Sequence, residues 1–325
     1  MRKGLHISES SFMLPLLKGL REKGVPVDKF LEQSKLNRFN LNTPANYIPN
    51  ILLYNFLYKV QHSQGLYSLA NQFRNDLTLE NTGHFGAAFY QQPDILTGIQ
   101  KIEKNPTVLR TNHRVKLQIN GNEAAFTIDF IDKSSKGRTI LEDIAWGHIF
   151  DGFGSGEGTP LVPNAIYTTY SSFERIKDLI PPGDYPIYYN QKFHKMTFPT
   201  SILFSNPIGH NPDLEIEYNE LENYTLRING LLKSAAEGTA ISLNDISDYT
   251  NLNTRTINRK LAEEGTSFSE LANNVFLQKA TNLLKTTNSS VKIIAQQLGY
   301  NDPANFTRAF KRNTQVSPEF FRNQA

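Results

Sequence analysis

The segment Ile294-Ala-Gln-Gln-Leu-Gly-Tyr300, followed by Asn305-Phe-Thr-Arg-Ala-Phe-Lys311, decides the fold of the C-terminal third. Phe306 and Phe310 are four residues apart, the spacing that places two side chains on one face of a helix. Gly299 ends the preceding apolar segment and can adopt the positive φ of a tight turn. The pattern predicts two short helices joined by a turn, the arrangement of a helix-turn-helix.

A second copy of this pattern lies earlier in the chain, between Ser242 and Leu261. Ile246 precedes Ile294 by 48 residues and Ile257 precedes Phe306 by 49, so the later copy has one extra residue in its turn. A turn between helices is where such a motif tolerates a change of length. The internal repeat therefore predicts two helix-turn-helix units rather than one.

The start of each second helix and the segment between the copies fit this interpretation. Asn253 can cap the first of these helices, and Asp302 followed by Pro303 can begin the second. Ser267–Lys285 has helical periodicity, and its nineteen residues would span about 28 Å. Successive major-groove faces of DNA are roughly 34 Å apart. A plain helical bundle would also contain amphipathic helices, but the repeat and the spacer length favour a DNA-binding domain.

Polar residues occupy the other faces of the two second helices. Arg suits guanine and Asn suits adenine in the major groove, so these side chains are candidates for contacts with bases or phosphates. From Leu221 onward the chain has 12 Lys and Arg against 9 Asp and Glu, a net charge of +3 that equals the net charge of the whole chain. The positive charge therefore lies in the region that would bind a polyanion such as DNA. The candidates are Arg255, Asn258, Arg259, Asn305, Arg308 and Lys311.

Composition narrows the class of protein. The 325 residues suit two domains. The absence of cysteine excludes disulfides and thiolate metal sites and suits the cytoplasm. No apolar run is long enough for a membrane helix. The seven histidines are scattered, the glycine-rich run from Asp151 to Gly158 fits no nucleotide-binding motif, and no nucleophile motif is present. We therefore expect no enzyme activity, no metal and no cofactor.

The sequence pattern of the front two thirds of the chain predicts an α+β domain. Val115–Phe130 alternates apolar and polar residues around Asn120-Gly121-Asn122, which predicts a β-hairpin. We expect a first domain over residues 1–210, a polar linker over 211–223 and an all-α domain over 224–325. Helices are predicted at Ser10–Gln33, Ile48–Leu69, Pro93–Lys104 and Leu141–Phe150, with strand-like aromatic residues at 185–205.

Aromatic residues in this domain are candidates for an effector pocket. They could line a cavity for an apolar or sugar-like molecule, or they could simply pack against the sheet. The sequence leaves both interpretations open. The candidates are Trp146 and Phe150 on one predicted helix, and Tyr185, Tyr188 and Tyr189 further along the chain.

The C-terminal region resembles the AraC/XylS family of bacterial transcription regulators. The match covers Ile294–Tyr300, Phe306–Arg312, Val316-Ser317-Pro318 and, in the first copy, Arg255–Leu261 with Glu264–Phe268. The resemblance implies an α+β sensory or dimerisation domain, followed by two helix-turn-helix motifs joined by a linker helix. It also implies an activator that meets RNA polymerase. The base-facing positions it implies are Arg255, Asn258 and Arg259 in the first unit and Pro303, Ala304, Asn305 and Arg308 in the second, with Thr307 at a phosphate.

Departures from the family pattern lead to two further expectations. Phe276 stands where the family usually has an arginine, which puts a linker-helix salt bridge in doubt. Asn313 and Gln315 replace an aromatic residue and a glycine, which suggests a changed turn near the end. Because Pro303 and Ala304 have no side-chain hydrogen-bonding groups, we expect the second unit to depend on Asn305 and Arg308.

The front domain resembles, less closely, the arabinose-binding-like domain of ornithine-utilisation regulators. The resemblance rests on the helical start, the Ile48-Pro49 pair before a long helix, the hairpin, and Tyr185–Leu203 with Phe198-Pro199. It implies sensing of a small-molecule effector, homodimerisation, or both. A constitutive DNA-binding regulator whose front domain only dimerises is the alternative.

Overall fold

The computed structural model describes residues 4–11, 13–65, 68–74, 77–104, 113–130, 136–153, 161–207, 211, 221 and 223–324. The chain divides into two compact units. The first contains His6–Leu36 and Leu41–Leu221, and the second contains Glu222–Ala325. The second unit also includes Asn37–Asn40 and the short stretch Lys3–Leu5, which come from the start of the chain.

The first unit is α+β. Its strands are β1 (Ile7–Glu9), β2 (Tyr47–Pro49), β3 (His113–Asn120), β4 (Glu123–Phe130), β5 (Ala165–Tyr167), β6 (Ile187–Tyr188) and β7 (His194–Pro199). Its helices are α1 (Met13–Glu22), α2 (Val27–Gln33), α3 (Asn50–Ser63), α4 (Leu69–Gln72), α5 (His84–Tyr90), α6 (Ile95–Lys104) and α7 (Arg138–Phe153). One-turn 3-10 helices lie at Glu80–Thr82, Phe173–Arg175 and Thr200–Phe204.

Five strands form one mixed sheet in the order β3-β4-β7-β5-β6. The predicted hairpin is present, since β3 and β4 pair antiparallel from His113 opposite Phe130 to Asn120 opposite Glu123. Gly121 takes the positive φ of 58° that the two-residue turn requires. Along β4 every second residue from Ala124 to Phe130 is buried. The sheet therefore has one face against the core, as the alternation predicts.

Two of the predicted helices differ from the structure. The segment predicted as one helix from Ser10 to Gln33 is two helices, because Gly24 adopts a φ of 75° and Pro26 precedes α2. The helix predicted from Ile48 begins only at Asn50, because Tyr47–Pro49 pairs with β1. Apolar periodicity alone does not show that the first residues of an apparent amphipathic helix belong to a strand instead.

Helix α7 is buried along almost its whole length, and several of its polar residues have partners inside the unit. Glu142, which is 1% exposed, forms an ion pair with Arg138 one turn away. Asp143 accepts a hydrogen bond of 2.6 Å from the Tyr170 hydroxyl. Trp146 donates its ring N–H to Nδ1 of His194 on β7 at 3.0 Å. Such pairing is what makes buried polar groups tolerable in a core.

The second unit is all-α. Its helices are α8 (Tyr224–Lys233), α9 (Leu243–Thr250), α10 (Thr254–Glu263), α11 (Phe268–Thr286), α12 (Val291–Gln297), α13 (Pro303–Thr314) and α14 (Pro318–Gln324). Helix α11 packs against α8, and against α12, α13 and α14. Most of the predicted linker at 211–223 lies outside the described residues, so its extent stays a prediction.

The segment Asn37–Asn40 is built into this second unit. The Asn40 amide donates to the Ser234 carbonyl at 2.8 Å, and the Ala236 amide donates to the Arg38 carbonyl at 2.9 Å. The Arg38 guanidinium forms a salt bridge with Asp245 of α9 and donates to the Ala240 carbonyl at 2.9 Å. A short piece from the start of the chain thus connects α9 to the residues that follow α8.

Within the described residues, no helix combines the length and the apolar character needed to cross a membrane.

Candidate nucleic-acid interface

The first helix pair is held by caps and by a small aliphatic core. Ser242 and Asp245 form a capping box at the start of α9, in which each side chain binds the other residue's backbone amide. Asn251, with a φ of 51°, ends that helix, and the Asn253 side chain accepts from the Thr256 amide at 2.8 Å to begin α10. This cap is the one that the sequence predicts.

The apolar and polar faces of α10 are opposite each other. Ile257 and Leu261 are fully buried against the rest of the unit. Arg255, Asn258 and Arg259 are exposed, and their spacings of three and four residues place them together on the outer face. This face can therefore reach a partner without disturbing the core.

Arg259 on this outer face is already in an ion pair. Its guanidinium donates to Glu263 Oε1 at 2.7 Å, one turn along the same helix. Both side chains are more than half exposed, so the pair contributes little stability and can be exchanged for a stronger anion.

The second helix pair has the same kinds of caps and turn as the first, formed by different residues. The Ser290 side chain caps α12, and Gly299 adopts a φ of 84° in the turn. The Asp302 side chain accepts from the Ala304 amide at 2.9 Å, and Pro303 occupies the first turn of α13. The turn glycine and the Asp-Pro start are both as the sequence predicts.

The core behind α13 is aromatic. Phe306 and Phe310 are fully buried together with Ile294, Ala295 and residues of α11. Phe276 of α11 packs against the Phe306 ring with 5.9 Å between centroids. Phe276, at the position where the resemblance implies an arginine, is therefore partly buried against this aromatic core.

The outer face of α13 is basic. Arg308 and Lys311 are exposed, and the Arg308 guanidinium donates to the Asn305 side-chain oxygen. Ala304 is exposed too, whereas Pro303 and Thr307 are half-buried. The structure therefore places together, on one face, the two residues on which the second unit was expected to depend.

Helix α13 ends at Gln315, which has a left-handed φ of 67°. The sequence suggested a changed turn here because the family's glycine is missing. The backbone keeps the left-handed conformation that glycine favours, so Gln315 carries the steric cost.

Sequence reasoning missed one contact that positions α8 against the first pair. The Glu264 carboxylate accepts from the backbone amides of Tyr224 at 3.0 Å and Thr225 at 2.7 Å. Burial by itself raises the pKa of Glu264, but these hydrogen bonds outweigh it and lower the pKa below its usual value. No local pattern marks this contact, because its partners are about forty residues apart in the chain.

Residues 246–324 match the helix-turn-helix domain family. The C-terminal unit is a DNA-binding helix-turn-helix domain. Over this region the chain is 37% identical to the HTH-type transcriptional regulator YfiF of Bacillus subtilis, over 84 residues and 26% of each chain. It is 32% identical to the HTH-type transcriptional activator RhaS of Escherichia coli, over 105 residues, 31% of this chain and 38% of RhaS. The chain thus spans well under half the length of these relatives.

A solved structure, the transcriptional regulator CdpR from Pseudomonas aeruginosa, is similar with a TM-score of 0.43 and 20% identity, covering 96% of this chain and 98% of CdpR. YfiF and RhaS are transcriptional regulators, not enzymes. Together with the domain match, they support the resemblance of the C-terminal residues to AraC-type regulators.

The five aromatic residues predicted as an effector pocket are dispersed over several environments. Trp146 is 1% exposed, stacks on Phe150 and binds His194. Tyr188 is 46% exposed and stacks on Tyr167. Tyr185 donates its hydroxyl to the Pro181 carbonyl, and burial raises its pKa to about 12. Tyr189 is half-buried.

Proposed function

We propose that the chain is a sequence-specific transcriptional regulator of the AraC/XylS type. It binds double-stranded DNA through two helix-turn-helix units, α9 with α10 and α12 with α13. One observation carries this proposal. In both pairs the second helix buries two apolar residues four apart and exposes an arginine between them, Arg259 in α10 and Arg308 in α13.

The exposed side chains suit direct readout of bases. Arginine recognises guanine and asparagine recognises adenine through paired hydrogen bonds in the major groove. Arg255, Asn258 and Arg259 serve this role in α10. In α13, Asn305 and Arg308 read bases, Pro303 and Ala304 contribute only surface contact, and Thr307 and Lys311 meet phosphates.

Helix α11 sets the distance between the two reading helices. Its 19 residues span about 28 Å, against roughly 34 Å for one turn of DNA. Both units therefore enter neighbouring major-groove segments on one side of the duplex. The operator has two conserved blocks about one helical turn apart.

The first unit supplies regulation. It senses a small-molecule effector, as the resemblance to ornithine-utilisation regulators implies, and it can form a homodimer. The chain activates transcription with RNA polymerase, as the AraC/XylS resemblance implies and as the similarity to the transcriptional activator RhaS supports. A constitutive regulator whose first unit only dimerises is the second candidate. A cytoplasmic location stays a prediction from the absence of cysteine.

Selection of bound sequences from a random duplex pool, with the full chain at about 150 mM salt, tests this proposal. We expect enrichment of two blocks about one turn apart. A pool with no enriched sequence, or with a single block, would contradict the two-unit mode of binding.

Two substitutions on one face of α13 then test the roles of its residues. Arg308→Ala should cost about 1–3 kcal/mol on the selected site and relax discrimination at one base pair. Lys311→Ala should weaken binding to selected and random DNA alike and flatten the salt dependence. Equal losses on both kinds of DNA for Arg308→Ala would contradict its role in reading bases.

A further inference from the structure

The first unit contains a cavity between its sheet and α7. Two strands line one side, with His113 and Val115 from β3 and Phe126 and Ile128 from β4. These residues share a face of the sheet, since His113 and Val115 stand two apart and Val115 lies opposite Ile128. About 480 Å³ of empty space lies here, part of it open to solvent.

Helix α7 forms the facing wall with Ala145, His148, Ile149 and Phe153. Their spacings of three and four residues place them on one side of the helix. Trp146 and Phe150, two of the predicted pocket residues, lie on the adjoining side, where Trp146 binds His194. The cavity is thus separate from the aromatic residues that the sequence singled out.

The lining of this space is that of a ligand site. Protein interiors are close-packed, with few voids larger than a water molecule. Small-molecule sites are mostly apolar and carry a few polar groups that fix the ligand's orientation. Ten of the twelve described lining residues are apolar, and the other two are the buried histidines His113 and His148.

The lining also selects the charge of the ligand. Among the described residues that line the cavity there is no lysine, arginine, aspartate or glutamate. An ionised ligand would lose its hydration among these residues, where only the two imidazoles could offer it a charge, and such burial is costly. A neutral hydroxyl or carbonyl group is compatible with imidazole, which can donate or accept a hydrogen bond.

We propose that this cavity binds a neutral, mainly apolar small molecule whose one hydrogen-bonding group contacts His148 on α7. The inference deepens the proposed function, on which it rests, because it gives the effector a site and a chemical class. The ligand is an unbranched or cyclic apolar body with a hydroxyl or carbonyl group, and an acid of the same size binds more weakly.

Octanol and octanoate are the probes, titrated calorimetrically into the full chain at neutral pH. Octanol should bind, with the negative heat-capacity change of apolar burial. Octanoate, which is ionised at this pH, should bind at least tenfold more weakly. The emission of Trp146, the chain's one tryptophan, should change with octanol because its neighbour Ala145 lines the cavity.

Two substitutions on β3 form a matched pair. Val115→Phe fills the cavity, whereas Leu117→Phe adds the same bulk two residues along the strand, outside the described lining. Both positions are half-buried, so both variants should fold, which circular dichroism checks. Octanol affinity should fall at least tenfold in Val115→Phe and stay unchanged in Leu117→Phe.

A third variant, His148→Leu, tests the hydrogen bond. It should weaken octanol binding about tenfold, the effect of losing one buried hydrogen bond. No octanol binding, equal binding of octanoate, or equal affinity in Val115→Phe and Leu117→Phe would each overturn the proposal. The DNA selection is independent of all these results. A selected operator with no octanol binding removes only the cavity proposal, and octanol binding with no selected operator removes only the proposed function.

Discussion

The two helix pairs of the C-terminal unit follow one plan but are stabilised by different forces. The first pair depends on charge and capping, with Asp245 bound to both Arg38 and Ser242. The second depends on a cluster of aromatic rings around Phe306 and Phe310. The contrast shows that one arrangement of helices can be kept by polar or by apolar contacts, and we expect the two pairs to respond differently to pH and to mutation.

Their outer faces differ in the same way. On α10 the exposed Arg259 is paired with Glu263, whereas the sequence of α13 has three basic residues and no acidic one. The second reading helix therefore offers DNA more uncompensated positive charge. We expect it to contribute more to the salt-dependent part of binding.

The largest effect should come from breaking the aromatic cluster. Phe306→Ala removes a fully buried ring and should destabilise the second pair by about 3–5 kcal/mol. Hydrogen exchange of amides in α12 and α13 would measure this locally. Phe320→Ala, at a position 49% exposed, is the control and should change little. Equal effects of the two substitutions would show that the ring cluster does not stabilise the pair.

The stability of the first helix pair should depend on pH. Burial by itself raises the pKa of Asp245, but hydrogen bonds from Arg38 and Ser242 outweigh it and lower the pKa to about 2. Because the folded pKa lies below the unfolded value, the stabilisation is present above about pH 4 and is lost as the pH falls towards 2. Asp245→Asn should cost about 2 kcal/mol at neutral pH, and this cost should shrink in acid.

Urea unfolding followed by circular dichroism, at a series of pH values, measures the cost of Asp245→Asn. Asp248→Asn on the same helix is the matched control, since Asp248 is exposed and should matter little at any pH. A cost of Asp245→Asn that does not vary with pH would contradict the ion-pair explanation.

The helix ends offer a smaller test. Gln315→Gly should stabilise the unit by about 0.5–1 kcal/mol, because glycine adopts the φ of 67° without the clash of a side chain. Asn251→Gly, at the corresponding end of α9, should gain less because asparagine tolerates this conformation. Thermal unfolding of both variants measures the difference. A loss of stability in Gln315→Gly would mean that its side chain contributes more than the strain costs.

The smallest effect should come from the charge on α10. Glu263→Gln releases Arg259 and should tighten binding to random DNA by about 0.5 kcal/mol, roughly two- to threefold. Fluorescence anisotropy at several salt concentrations measures this. Glu319→Gln on α14 makes the same change in net charge and should have less effect. If both variants tighten binding equally, the Arg259–Glu263 pair has no particular role in the interface.

The sequence by itself determined the helices of the C-terminal unit and the orientation of their faces. Caps such as Asn253 and Asp302, the turn at Gly299 and the spacing of Phe306 and Phe310 are local signals, acting over three to five residues. The hairpin around Gly121 was predictable for the same reason. Local hydrogen bonding and side-chain periodicity decide these features before any long-range contact forms.

Tertiary structure alone decided which distant segments meet. Nothing near Arg38 indicates that it binds Asp245, 207 residues further along the chain. The contact of Glu264 with the start of α8 and the cavity between the sheet and α7 likewise depend on how the elements pack. Such contacts follow from the shape of the folded core, in which burial and charge pairing select among many positions that look alike in the sequence.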